Sequence, residues 1–304
     1  MRISTQQIFE TGAARLGDLQ TALAKTQQQI STGRKMLTPS DDPVAAARAL
    51  DITQSQSINS QYADNRTQAR NSLTVVEGTL DSVTDLLQNV RDALVSAGNT
   101  TYTDAQRGFV ATDLESRFQA LLGLANTRDA QGNYMFSGFQ TATKPFVETT
   151  TGATYQGDSG QQLAQVDTNR QMAMGNPGNS VFQGGGQDVF QTIKDMITLL
   201  QTPVTTTAAR TALDNGLTNG LAEIDKGLNN VLTVRASLGT RLQELDSLDT
   251  AGNDRDVQYS AMLSQLQDLD YTKALTQLSQ QQTTLEAAQQ SFVKTANLSL
   301  FSYL

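Results

Sequence analysis

Apolar side chains at Leu73, Val76, Leu80, Val83, Leu87, Val90 and Leu94 recur at alternating intervals of three and four. A heptad held that strictly predicts a helix lying along another helix over a shared axis. A second stripe of the same period runs through Leu217, Leu221, Ile224, Leu228, Val231, Arg235, Leu238, Leu242 and Leu245. Its one polar member, Arg235, reads as a register-setting or snorkelling residue. The two stripes are expected to meet as an antiparallel rod within one chain. The ends carry further seams. Phe9, Leu16, Leu19, Leu23 and Ile30 form one, with Gly12 and Thr26 in its gaps, and Leu278, Leu285 and Phe292 form another ahead of the apolar close Leu298-Ser299-Leu300-Phe301-Ser302-Tyr303-Leu304.

Punctuation between these stripes divides the chain. The first helix is expected from Ile3 to Thr32, stopped at Gly33 because glycine accepts the left-handed conformation that ends helices. After the hinge Thr38-Pro39-Ser40-Asp41-Asp42-Pro43, Asp42 reads as an N-cap and Pro43 as the first helical residue. That second helix should reach Ala97, on the order of 80 Å at 1.5 Å per residue. Thr103 or Asp104 caps a third helix to about Thr127, with Val110, Leu114, Phe118, Leu121 and Leu122 inward. From Asp129 to Gln187 the helical period disappears. Glycines and Asn176-Pro177-Gly178 mark turns between strands near Ala153–Gln156, Gln162–Asp167 and Gln171–Met174. Helical spacing returns at Val189. Ala251-Gly252-Asn253-Asp254 reads as a turn, and the last helix as running from Asp256 to the end. Its buried stripe shifts by one position at Asp268-Leu269-Asp270, so its two parts should pack against different partners.

The predicted fold class is therefore mainly α: a long antiparallel helical rod or coiled-coil bundle formed by the N- and C-terminal halves, with a small inserted β domain. Its expected parts are an N-terminal assembly helix over 1–40, pairing with 266–304, a first rod half over 41–128, a β-rich insert over 129–187, a second rod half over 188–265, and a C-terminal assembly helix over 266–304.

Composition narrows the function. The 304 residues carry a net charge of -8, with 38% apolar side chains, and the isoelectric point is about 4.6. No basic cluster exceeds Arg34-Lys35, so neither nucleic acid nor an anionic membrane is an expected partner. The chain has no Cys and no His, which removes thiol nucleophiles and the commonest general base and metal ligand. The carboxylate pairs Asp41-Asp42, Asp254 with Asp256, and Asp268 with Asp270 read as caps and solvated turns. Gly184-Gly185-Gly186 lacks the Lys of a phosphate-binding loop and reads as a linker. No enzyme, cofactor or metal is expected. The polar opening Met1-Arg2-Ile3-Ser4-Thr5 predicts no secretory signal peptide, and no run is long and apolar enough to span a bilayer.

The near absence of charge at the C-terminal end matters most. From Leu275 to Leu304 the ionisable side chains are Glu286 and Lys294, whereas a helix exposed on one face normally carries a charged outer surface. That end needs further partners. The expected assembly residues are Phe9, Leu16, Leu19, Leu23, Ile30, Leu278, Leu285, Phe292, Leu300 and Phe301. The competing readings are a dimeric coiled-coil adhesin or sensor, using the same heptads in parallel, and a carboxylate enzyme gathering Asp41, Asp254 or Asp268 around one cavity.

Met1-Arg2-Ile3-Ser4-Thr5, the hinge Leu37-Thr38-Pro39-Ser40-Asp41-Asp42-Pro43-Val44-Ala45-Ala46, and Gly132-Asn133-Tyr134-Met135-Phe136-Ser137-Gly138 resemble the flagellin-like axial proteins of the bacterial flagellum. The tail is the most specific part: Asp268-Leu269-Asp270-Tyr271-Thr272-Lys273-Ala274, Ala287-Ala288-Gln289-Gln290-Ser291-Phe292 and Leu298 to Leu304 are similar to members that join hook to filament, more than to flagellin itself. The insert is only generically similar. The resemblance implies a non-enzymatic structural subunit of the extracellular flagellum, exported unfolded through the flagellar type III apparatus without a cleaved signal. It further implies a ring of copies between hook-associated protein 1 and flagellin, a cytoplasmic export chaperone holding the C-terminal region, and a need for the protein in motility.

Overall fold

The computed structural model describes the backbone of residues 2–301 and the side chains of residues 7 and 9–295. Among these residues the chain forms seven helices and four strands: α1 (Arg2–Thr32), α2 (Pro43–Ala97), α3 (Asp104–Ala125), β1 (Phe146–Thr149), β2 (Gly152–Tyr155), β3 (Leu163–Asp167), β4 (Arg170–Ala173), α4 (Gly178–Phe182), α5 (Val189–Gln201), α6 (Thr207–Gln267) and α7 (Tyr271–Phe301). It is mainly α, built from antiparallel helices of the two halves of the chain with a small β region inserted between them. Two compact units result, one of residues 60–252 and one of 1–59 with 253–304.

In the 60–252 unit the heptad from Leu73 to Leu94 is closed to water, none of its seven members being more than 1% exposed. Leu217, Ile224, Val231, Leu238 and Leu245 of α6 are buried with it, as are Leu114, Phe118 and Leu121 of α3 and Ile193, Ile197 and Leu200 of α5. Each buried leucine contributes about 2 kcal/mol through removal of apolar surface from water. A bare backbone at Gly220 and Gly227 lets α6 come close to its neighbours, since a Cβ there would run into the Met196 sulfur or the Val189 side chain. Helix α3 starts in a reciprocal capping box: Thr103 accepts from the Gln106 amide and the Gln106 side chain accepts from that of Thr103.

Ion pairs align α2 against α6. Arg66 pairs with Asp249, Arg70 with Asp246 and Asp249, Arg235 with Glu77 (2.6 Å) and Asp81 (2.7 Å), and Arg91 with Asp225 (2.8 Å). Advance along one helix is matched by retreat along the other, so the partner of the heptad is an antiparallel helix of the same chain. A parallel dimer is not needed to close it. Arg235, which interrupts the α6 stripe, also donates to the Thr84 hydroxyl at 3.2 Å.

The expected turn at Ala251-Gly252-Asn253-Asp254 does not exist, and the last helix does not begin at Asp256. Helix α6 continues from Thr207 to Gln267. Gly252 serves close approach instead of a bend: a Cβ there would lie 2.5 Å from Nη2 of Arg66. Arg66 is 1% exposed, and it bonds the Val166 carbonyl at 3.0 Å besides Asp249. The glycine makes room for a buried guanidinium that donates through Nε to a carboxylate and through Nη1 to a strand carbonyl.

The insert contains two separate antiparallel hairpins, β1 with β2 and β3 with β4. Strands near 153–156, 162–167 and 171–174 were expected, and β1 is an addition to them. Phe146 joins Phe136, Phe182, Phe190 and Tyr155 in an aromatic cluster, with ring centroids as close as 4.9 Å between Phe146 and Phe190. The Tyr155 hydroxyl lies between the carbonyls of Phe136 (2.9 Å) and Asp158 (2.7 Å), and burial pushes its pKa up to about 12. Side chains occupy the strand edges. Asn126 accepts from the Phe146 amide (2.9 Å) and donates to the Phe146 carbonyl (3.0 Å), Gln183 donates to the Ala153 carbonyl, and Asn65 donates to that of Gln165. Lys194 of α5 bridges Glu115 of α3 and Glu148 of β1, both at 2.9 Å, above the Phe118 ring.

Candidate assembly surface

Helices α1 and α7 pack antiparallel. The Phe9 and Phe292 rings meet edge to face at 5.5 Å, and a Cβ on Gly12 would lie 2.9 Å from the Phe292 ring. The gap positions of the N-terminal stripe are thus its points of closest approach. Thr26, the other gap, is 3% exposed, and Ala274 on α7 is 5% exposed; among the described side chains of the pair these two are the buried ones. Leu16, Leu19, Leu23, Ile30, Leu278 and Leu285 lie on the seam but stay half-buried, as do Phe9 and Phe292. The side chains of Leu300 and Phe301 lie outside the described residues. Two helices alone cannot enclose the stripe between them, because each leaves much of its circumference wet.

Beside the aromatic pair a groove of about 660 Å³ opens, lined by Phe9, Gly12, Arg15, Leu16, Ala288 and Phe292 among others. Eight of the fourteen large apolar side chains left exposed among the described residues belong to the 1–59 and 253–304 unit, including Val44, Leu50, Val257 and Val293.

The shift at Asp268-Leu269-Asp270 is a true break between α6 and α7, and it sits beside the break after α1. The Lys35 amide donates to the Gln267 carbonyl at 2.7 Å, the Leu269 amide donates to the Gly33 carbonyl at 3.0 Å, and Arg34 and Asp268 form an antiparallel bridge. Gly33 has φ +69, and the Tyr271 hydroxyl lies 3.0 Å from where its Cβ would stand. No local pattern in the sequence joins these segments, which lie more than two hundred positions apart.

The acidic residues singled out in the sequence act as caps and local ties. Asp41 takes an ion pair from Lys25 (2.6 Å) and the amides of Leu37 (3.0 Å) and Thr38 (3.1 Å), which together lower its pKa to about 2, the Lys25 hydrogen bond contributing most. Asp42 caps α2 through the Ala45 amide and Asp270 caps α7 through that of Lys273. Asp256 accepts from Gln56, and Asp268 from the Ser264 hydroxyl. Among the described residues no cluster of three or more acidic side chains gathers to hold a metal ion, and no helix is long and apolar enough to cross a membrane.

Known proteins share this construction. Residues 3–141 match the bacterial flagellin N-terminal helical region, and residues 221–304 match the bacterial flagellin C-terminal helical region. The helical halves are therefore those of a flagellin-type axial protein, and the unmatched stretch holds most of the insert. Flagellar hook-associated protein 3 of Escherichia coli is 36% identical over 322 residues, covering 99% of each chain. A solved structure reported as a flagellar hook-associated protein from Vibrio parahaemolyticus is 25% identical with a TM-score of 0.69, covering 75% of this chain and all of its own. The flagellar junction protein of Legionella pneumophila, 21% identical, covers 73% of this chain and all of its own with a TM-score of 0.63, and so shares the fold. This chain belongs to the hook-associated protein 3 family, whose members are structural components of the bacterial flagellum and not enzymes.

Proposed function

We propose that the protein is the subunit that joins hook to filament, contacting hook-associated protein 1 on one side and flagellin on the other in a ring of its own copies. The half-open seam between α1 and α7 carries this reading. Its apolar stripe is left partly wet by two helices, and from Leu275 onward α7 carries Glu286 and Lys294 as its charged side chains. Copies or neighbours laid against that face complete the burial that one chain cannot achieve. Many modest seams closed in a ring reinforce one another, because each added contact becomes effectively intramolecular.

Phe9, Leu16, Leu19, Leu23, Ile30, Leu278, Leu285, Phe292, Leu300 and Phe301 are the proposed assembly residues. The chain reaches the extracellular flagellum through the type III export apparatus without a cleaved signal, and a cytoplasmic chaperone holds its sticky C-terminal region beforehand. Cells deleted for residues 271–304 of this protein should make a soluble, helical chain yet lose swimming. Motility that survives the deletion refutes the role. In parallel, amides around Phe9 and Phe292 should gain protection from hydrogen exchange when the ring forms.

A further inference from the structure

We infer that Arg241 of α6 takes a carboxylate from a second copy of this chain, supplied by Asp85 and Asp92 on the outer face of α2. The pair joins neighbouring rods side by side, and the inference rests on the ring proposed above. Arg66, Arg70, Arg91, Arg170 and Arg235 each face a carboxylate of their own chain. Arg241 does not. Half-buried beside β4, it donates through Nη1 to the Ala173 carbonyl (3.4 Å) and the Asn176 side-chain oxygen (3.1 Å), both neutral. Glu244, one turn further along α6, is held by Arg170 at 2.6 and 2.8 Å. Burial first, and then the adjoining Arg170 charge, push the Arg241 pKa down, so the site is short of negative charge.

The opposite deficit lies on α2. Asp85 and Asp92 stand one heptad apart on the face turned away from the closed stripe of Leu80, Val83, Leu87 and Val90, and both are exposed and without an ion pair among the described residues. The surface around them admits a neighbour. Gly78, one heptad earlier, faces open space, and Val75 and Val95 are exposed apolar side chains. The ion pairs between α2 and α6 set Arg241 near the level of Val75, so Asp85 lies roughly 15 Å and Asp92 roughly 25 Å away along the rod, beyond reach within one chain. A ring joins one face of each copy to a different face of the next, whereas a two-fold dimer joins like to like. A cation lacking a carboxylate on α6 and carboxylates lacking a cation on α2 suit the ring. They do so in a chain whose net charge of -8 otherwise sets copies against one another.

Because the chain has no cysteine, paired substitutions report the contact. Flagella are isolated from cells whose full-length protein carries Arg241→Cys with Asp85→Cys, or Arg241→Cys with Asp92→Cys, and are oxidised mildly. A ladder of dimers and larger multiples on a non-reducing gel is expected from at least one pair. No ladder from either overturns the inference, as does a product of another mass, which puts a different flagellar protein against Arg241. Charge is tested separately. Arg241→Gln keeps an amide donor for Ala173 and Asn176 and should leave the melting of the purified protein unchanged, while the fraction of hooks that keep a filament under shear falls about tenfold. Arg241→Lys should restore most of it. Asp85→Asn with Asp92→Asn should give the same loss, and adding Arg241→Gln to that pair should cost nothing further. Unchanged retention in Arg241→Gln, or losses that add, overturn the pairing. A chain that swims yet fails these tests leaves the junction role standing, since the deletion of residues 271–304 tests that role by itself.

Discussion

The seam of α2 and the seam of α1 with α7 use the same kinds of side chain at the same spacing, yet one is dry and the other half-wet. Leu73 to Leu94 are closed off because α3, α5 and α6 surround them. Leu16 to Ile30 have α7 across from them, and the groove beside Phe9 stays open. Closure depends on how many elements surround a stripe, not on the stripe. A pair of helices with no third element against it therefore keeps its stripe half-wet.

The sharpest way to break that contrast is to truncate a leucine in each seam. Leu80→Ala should destabilise the isolated protein by about 3–4 kcal/mol, the cost of a cavity that its surroundings cannot fill. Leu285→Ala, at a half-exposed site that water can enter, should cost roughly 1 kcal/mol or less in the same thermal melt and yet stop ring formation. Equal losses in the melt would erase the distinction. Next in size is Arg66→Ala, expected to cost about 3 kcal/mol by leaving a void and an unpaired Val166 carbonyl. Gly252→Ala should cost about 1–2 kcal/mol by crowding the same guanidinium. If denaturant midpoints for both match the parent, the reassignment of Gly252 from turn to close approach is mistaken.

Asn126→Ala should cost about 1–2 kcal/mol, because both edge groups of Phe146 lose their partner, and the change should show first in the near-ultraviolet signal of the aromatic cluster. The smallest effect concerns pH. Asp41 titrates near 2 in the folded protein against an ordinary value of 3.8. Its contribution to the joint is therefore complete above 3.8, declines below it, and is gone once pH has fallen through about 2. Exchange of the Leu37 and Thr38 amides should quicken over that window, and Asp41→Asn should remove the dependence.

Much of the helical plan was legible along the chain. Gly33, Asp42-Pro43 and Thr103 mark the helix ends where local chemistry demands them, and the two heptads identify partners because a 3.5 period has one dominant cause. Gly252 misled, since a glycine admitted for a distant arginine looks the same in sequence as one admitted for a turn. Strand β1 was missed because Phe146-Val147-Glu148-Thr149 has only four residues, and what orders it, Asn126 and the cluster of Phe182 and Phe190, lies elsewhere. The joint was half legible: the shift at 268–270 showed in the pattern, but its backbone pairing with Gly33 and Lys35 is a long-range event that no window records. Among the assembly residues, the gaps at Gly12 and Thr26 were the informative positions, small because a helix presses on them.

The side chains that occupy the strand edges carry a consequence for life at high density. Exposed strands are templates for one another, and proteins stacked in bulk are prone to fuse through them. With Phe146 answered on both its amide and its carbonyl by Asn126, and with Ala153 and Gln165 answered by Gln183 and Asn65, the insert gives a neighbour's backbone little to copy. Crowded molecules are thereby denied one common route to fusion, the pairing of one insert's strand edge with another's.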